Sequence, residues 1–156
     1  MPFLVETYAS TSVAAEWTLG DVLVASGQPA ANAIVGRTVG LLTQEGDWTD
    51  AGTALRFYEL ILRFDPATAT NVLVDLVAND AASRQRTLFL AVKLGIPGSE
   101  DRLNDLLMQV GDVSMAEDYL NSGSELLSQG GERWATAHGY YVESGPGSHR
   151  TTWGSF

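Results

Sequence analysis

The sequence predicts a mainly α domain: an antiparallel helical stack or short α-solenoid-like bundle, with a small C-terminal β-hairpin. Three observations carry this. Residues 54–110 hold four consecutive helix-like segments, each with its own start or stop signal. Apolar side chains recur in them at helical spacing. Residues 140–153 instead hold two short β-rich runs around a glycine-rich turn. At 156 residues the chain fits one domain, 1–156, with 139–156 as hairpin and tail. A domain of this size buries roughly 70% of its unfolded surface, so one core holds it without staples.

The elements follow in order. Phe3 to Tyr8 is β-branched and aromatic, a short strand or an extended lead-in. Thr11 to Ala25 reads as a helix, with Gly20 its weak point. Gly27-Gln28-Pro29 breaks the chain, and Pro29 suits the first turn of a helix over 30–42. Ile34, Val35, Val39 and Leu42 give that helix a face. Gly36 and Gly40, four apart, would admit a close neighbouring helix. Gln44 to Asp50 is a polar loop.

Ala54 to Phe64 is apolar nearly all round, the pattern of a central helix. Asp65-Pro66 stops it and starts the next, with Asp65 as N-cap and Pro66 at the first helical position. Val72, Leu73, Leu76 and Val77 line that helix, and Asn79-Asp80 turns the chain. A helix over 81–94 should bury Leu88, Ala91 and Val92 and send Arg84 and Arg86 outward. Lys93-Leu94-Gly95-Ile96-Pro97 ends it: a base in the last turn, glycine at the left-handed cap, proline beyond. Ser99 should cap a helix over 100–110, with Leu103, Leu106, Leu107 and Val110 on one face. The expected core is Leu60, Ile61, Leu73, Leu76, Leu88, Leu106 and Leu107.

Ser114-Met115-Ala116-Glu117 reads as a capping box for a short helix through Leu120. Ser122-Gly123-Ser124-Glu125 reads as a second, opening a helix to about His138. Leu126, Leu127, Trp134 and Ala137 are its apolar positions, and Gly130-Gly131 should kink it. Gly139 ends it. Tyr140–Ser144 and Arg150–Trp153 then form two arms around Gly145-Pro146-Gly147-Ser148.

The stretch Ala54–Val110, with its tight turns, Asp-Pro junction and helix starts about 12–18 residues apart, resembles HEAT or armadillo-type α-solenoids. The resemblance covers about a third of the chain. It implies a scaffold or adaptor that binds partners on a concave face, and no catalytic residues. A compact antiparallel bundle has the same pattern.

Charge and composition narrow the function. The net charge is −10, distributed as −5 over 1–50, +1 over 51–96 and −6 over 97–156. So acidic a chain is repelled by phosphate backbones and anionic lipid, which argues against nucleic-acid or membrane binding. It permits a basic protein partner, or mimicry of nucleic acid. Acidic surfaces also serve solubility alone. Cysteine is absent, which excludes disulfide and thiolate chemistry. Met1 to Tyr8 lacks the features of a signal peptide, and no 18-residue apolar run exists, so a cytoplasmic location is expected.

No catalytic or cofactor motif is present, and none is expected to bind. His138 and His149 with Glu132, Glu143 or Asp118 would be the parts of a metal or acid–base site, but their spacing fits no metal signature. Ser148-His149 lacks the elbow of a serine nucleophile. Gly145–Ser148 lacks the lysine and following helix of a phosphate loop. Acidic clusters at 100–105 and 112–118 lack the alternation of a calcium loop, and acids suit first helical turns anyway. Arg84, Arg86 and Lys93 form the one basic locus, suited to ion pairs with neighbouring helices or to docking an anionic ligand.

The C-terminal tail is the strongest functional lead. Tyr140, Tyr141, His149, Arg150, Trp153 and Phe156 crowd into seventeen residues. Tyr, Trp and Arg dominate interface hot spots. The competing reading is that the hairpin buries its aromatics on the last helix. The sequence therefore leads to a non-enzymatic, acidic protein-binding domain (an adaptor, inhibitor or immunity-type protein), with self-association as a second use of the tail. The alternatives are an acidic nucleic-acid mimic, and an enzyme or enzyme subunit with a site near His138 and His149.

Overall fold

A computed structural model describes residues 20–43, 48–145, 147 and 149–153. The extended lead-in at 3–8, the first part of the 11–25 helix and Phe156 lie outside them. Contacts divide the chain into two compact units, Met1–Val72 and Leu73–Phe156. The mainly α class and the C-terminal hairpin are as the sequence predicts.

In the first unit, residues 20–25 are helical and Gly27, at φ 71°, turns the chain. Helix α1 (Gln28–Thr43) follows, then α2 (Trp48–Phe64) packed against it. Helix α2 starts at Trp48, inside the segment read as a loop. Its buried positions are Ala54, Phe57, Tyr58, Leu60 and Ile61, while Leu55, Leu62 and Phe64 are only half-buried. It is thus one-sided rather than central. The inner stripe of α1 is Ala30, Ala31, Ile34 and Thr38, not the Val35 and Val39 face. Among the described residues, nothing would lie within 4 Å of a Cβ at Gly36 or Gly40. Burial pushes the Tyr58 hydroxyl pKa well above its usual range, and that hydroxyl has no hydrogen-bond partner among the described residues. Arg63 near the end of α2 forms an ion pair with Asp21.

Helix α3 (Pro66–Asn79) begins as its sequence dictates. Asp65 Oδ1 accepts the Ala67 N–H at 2.9 Å and Oδ2 accepts the Thr68 hydroxyl at 2.8 Å. These bonds favour the charged carboxylate and hold the Asp65 pKa below the ordinary range. Val72, Leu73, Leu76 and Val77 are all buried, as their spacing predicts.

The second unit holds α4 (Arg84–Leu94), α5 (Ser99–Val110), α6 (Val113–Leu120) and α7 (Glu125–Ala137). Helix α4 starts three residues later than expected, because 81–83 form a turn. Arg84 corrects the expected phase: it is buried, with Nε donating to the Val77 carbonyl and Nη1 paired to Asp118 Oδ2, both at 3.4 Å. Burial raises the Asp118 pKa, opposed by a hydrogen bond from Gln85 and by the Arg84 charge. Gly95 closes α4 in the left-handed region, at φ 55°, as predicted.

Three caps differ from expectation. Ser99 lies inside α5, and its hydroxyl donates back to the Ile96 carbonyl at 2.7 Å. Asp112, not Ser114, caps α6 by accepting the Met115 N–H at 2.7 Å. That leaves the Glu117 carboxylate free for another use. Ser124, not Ser122, caps α7 through the Leu127 N–H at 3.2 Å, and its hydroxyl donates to Glu100.

The core of this unit holds Leu88, Leu103, Leu107, Tyr119, Leu127 and Trp134. On α7, Leu126 is 51% exposed. On α5, Leu106 is only half-buried and Val110 is 66% exposed, so the α5 stripe is narrower than predicted. Its place on the inner side is taken by Asn104. The Tyr119 hydroxyl donates to the Leu103 carbonyl at 2.7 Å, joining α6 to α5, and burial raises its pKa.

Gly130-Gly131 does not break α7. A Cβ on Gly130 would stand 1.8 Å from Asn104 Oδ1, and one on Gly131 would stand 2.9 Å from the Ala116 carbonyl. The pair therefore lets α7 approach α5 through one glycine and α6 through the other. Each glycine weakens an isolated helix by roughly 1 kcal/mol against alanine, and the close packing of three helices offsets that cost.

Candidate functional site

The C-terminal hairpin grows directly out of the end of α7. Gly139, at φ 77°, donates its N–H to the Thr136 carbonyl at 3.2 Å, and Tyr140 donates to the Ala135 carbonyl at 2.8 Å. These two bonds form a Schellman motif and set the exit direction of the chain. The aromatic rings continue it: Trp134 stacks on His138 at 4.2 Å and on Tyr140 at 5.9 Å between centroids. The His138 Nδ1 lies 2.8 Å from the Trp134 carbonyl. His138 thus serves the helix end.

Strands β1 (Tyr141–Ser144) and β2 (Arg150–Trp153) pair antiparallel, with Tyr141 opposite Trp153 and Ser144 opposite Arg150. The Gly145 N–H donates to the His149 carbonyl at 2.6 Å and closes the turn. Hydrogen-bonded and non-bonded pairs alternate along such a ladder. The N–H groups of Arg150 and Thr152 accordingly point away from β1.

Both are met by side chains of α6. Asn121, at the C-cap, accepts the Arg150 N–H at 2.9 Å and donates to the Arg150 carbonyl at 2.9 Å. Glu117 accepts the Thr152 N–H at 2.9 Å and its hydroxyl at 3.1 Å. The Arg150 side chain donates to Ser128 Oγ at 2.8 Å and forms an ion pair with Glu132, both on α7. The edge of β2 is therefore covered, and the hairpin is tied to α6 and α7.

The tail residues singled out by sequence divide accordingly. Tyr140 is half-buried under Trp134, and Arg150 is a half-buried anchor. Tyr141 is 49% exposed and His149 is exposed. Trp153 is placed by its backbone opposite Tyr141. Tyr140 and Arg150 thus pack against the helices, while Tyr141 and His149 keep much of their surface in solvent.

The ingredients of the His-centred alternative have other employment. Glu132 pairs with Arg150, Asp118 with Arg84, and His138 stacks on Trp134. Among the described residues no group of three or more His, Asp or Glu is arranged to hold a metal ion. The basic locus is divided as well: Arg84 is buried, and the Lys93 ammonium sits 5.6 Å over the Phe89 ring. No described helix is long and apolar enough to cross a membrane.

Asn121, Glu117 and Ser128 were not visible as functional parts in the sequence. An Asn just after a short helix reads as a cap, and only the returning strand gives it a second partner. No family model, curated protein or solved structure matches the chain.

Proposed function

We propose that this chain is a non-enzymatic, acidic protein-binding domain that presents its aromatic C-terminal hairpin to a partner. The observation that carries the reading is the contrast between the two strands. Strand β2 is fastened through Glu117, Asn121, Ser128 and Glu132. Strand β1 keeps Tyr141 49% exposed on that rigid support. A held aromatic costs little entropy on binding, which is the property of a hot spot. The net charge of −10 favours a basic partner surface. The helices act as the scaffold, as the likeness to helical repeats implies.

The test is cross-linking and co-purification of the full chain from the cells that make it, beside Tyr141→Ala and Trp153→Ala. One partner should be enriched with the unsubstituted chain. Tyr141→Ala should weaken that association roughly 30-fold, the effect of losing ~2 kcal/mol at a hot spot. The melting temperature should stay unchanged. Undiminished binding by both variants would overturn the reading.

A further inference from the structure

We propose that the outer edge of β1 is a strand-addition site, taking an extended basic segment of another protein. The proposal rests on the protein-binding reading and names the chemistry of the partner. Its starting point is the direction of the backbone groups. Gly145 bonds to His149 across the hairpin, and Arg150 and Thr152 send their N–H groups outward to α6. In this register Ser144 faces Arg150 and Val142 faces Thr152. Opposed residues of an antiparallel pair share the same alternation. So Val142 and Ser144 direct their N–H and C=O groups away from β2, toward the far edge.

No hydrogen bond from a described residue reaches those groups. The contrast with β2 is direct: one edge is covered by Asn121 and Glu117, the other is not. An extended segment laid along β1 would find two donors and two acceptors in register. Main-chain bonds supply affinity in this mode, and side chains supply selectivity.

The exposed side chains say which segment fits. Tyr141 and Glu143 alternate with Val142 and Ser144, and both are exposed. Arg150 and Thr152, across from Ser144 and Val142, reach the helices through their side chains. Tyr141 and Glu143 therefore lie on the face turned from the helices, beside the open edge. A cross-strand lysine or arginine would pair with Glu143, with its stem against Tyr141. A second copy of this chain brings another net −10 and another Glu143, and is repelled. The same charge admits a basic strand and rejects self-pairing.

The proposal is tested by titrating the full, ¹⁵N-labelled chain with a blocked heptapeptide of alternating lysine and valine. Binding should shift the Val142 and Ser144 amide signals and slow their solvent exchange at least tenfold. The Arg150 and Thr152 amides, already bonded, should change little. The counterpart with glutamate for lysine should bind at least tenfold more weakly. Ser144→Pro removes an outward donor without touching the ladder to β2, and should weaken binding tenfold or more, whereas Ser144→Ala should not. Unmoved Val142 and Ser144 amides, equal binding of the glutamate peptide, or undiminished binding by a folded Ser144→Pro chain would each overturn the proposal. A cellular partner lost with Tyr141→Ala but kept by Ser144→Pro would leave the protein-binding reading standing and remove strand addition. A partner insensitive to both substitutions would remove both.

Discussion

Asn121 and Arg150 hydrogen-bond to each other twice, side-chain amide to main chain, with both distances 2.9 Å. The Asn121 amide satisfies one N–H and one C=O, as a residue of a neighbouring strand would. A helix C-cap thereby ends a β-sheet. Its Nδ2 also donates to the Glu117 carbonyl at 2.7 Å, which fixes the amide before the strand arrives.

Asn121→Ala removes both bonds and leaves the Arg150 backbone groups half-covered and unpaired. The expected loss is about 1–3 kcal/mol, the cost of unsatisfied buried polar groups. Amide exchange should accelerate at Arg150 and Thr152, while the α5 and α6 amides stay protected. Unchanged exchange at Arg150 would show that the hairpin is held by other contacts.

Gly130→Ala would stabilise an ordinary helix by about 1 kcal/mol. Here the new Cβ falls 1.8 Å from Asn104 Oδ1, so the helices must part or Asn104 must move. The expected sign is reversed, a loss of about 1–3 kcal/mol in denaturant unfolding. Asn104→Ala in the same chain should recover part of that loss, because the clashing amide is gone. Simple additivity of the two substitutions would refute a steric origin.

Asp65 sets a pH dependence whose sign follows from its lowered pKa. The folded state favours the carboxylate, so the contribution is complete above the unfolded value of about 3.9 and fades as pH falls through the folded value. Asp65→Asn keeps an N-cap but does not titrate. The stability gap between the two chains should be constant near neutral pH and narrow in the acid range. A gap that widens on acidification would reverse the assignment.

Leu73→Ala should cost about 2–5 kcal/mol by chemical denaturation, the range for a buried leucine. Its side chain has no measurable exposure, 0%. A loss under about 0.5 kcal/mol would place it at the surface.

Much of the architecture was legible in the chain because its signals are local. Asp65-Pro66 names a helix start through groups two and three residues away. Gly95 and Gly139 name helix ends because both adopt the left-handed backbone that glycine tolerates. The Gly-Pro-Gly turn between two β-rich runs names the hairpin. The aromatic tail could likewise be seen as a cluster, and Tyr141 as a member of it.

What tertiary structure decided is the use of side chains whose partners are distant in sequence. Arg84 looks like a solvent-facing base, yet Asp118, 34 residues on, draws it inside. Gly130-Gly131 looks like a break, because local propensity counts only the lost side chain. Asn104 and the Ala116 carbonyl make it a contact surface instead. Glu117 fits a capping box by spacing, but Asp112 reaches the free N–H first, and the carboxylate meets Thr152, 35 residues away. Local sequence determined where the helices and strands begin and end, since caps and turns involve neighbours. Which strand edge is covered and which is open depended on long-range hydrogen bonds, and no short pattern encodes those.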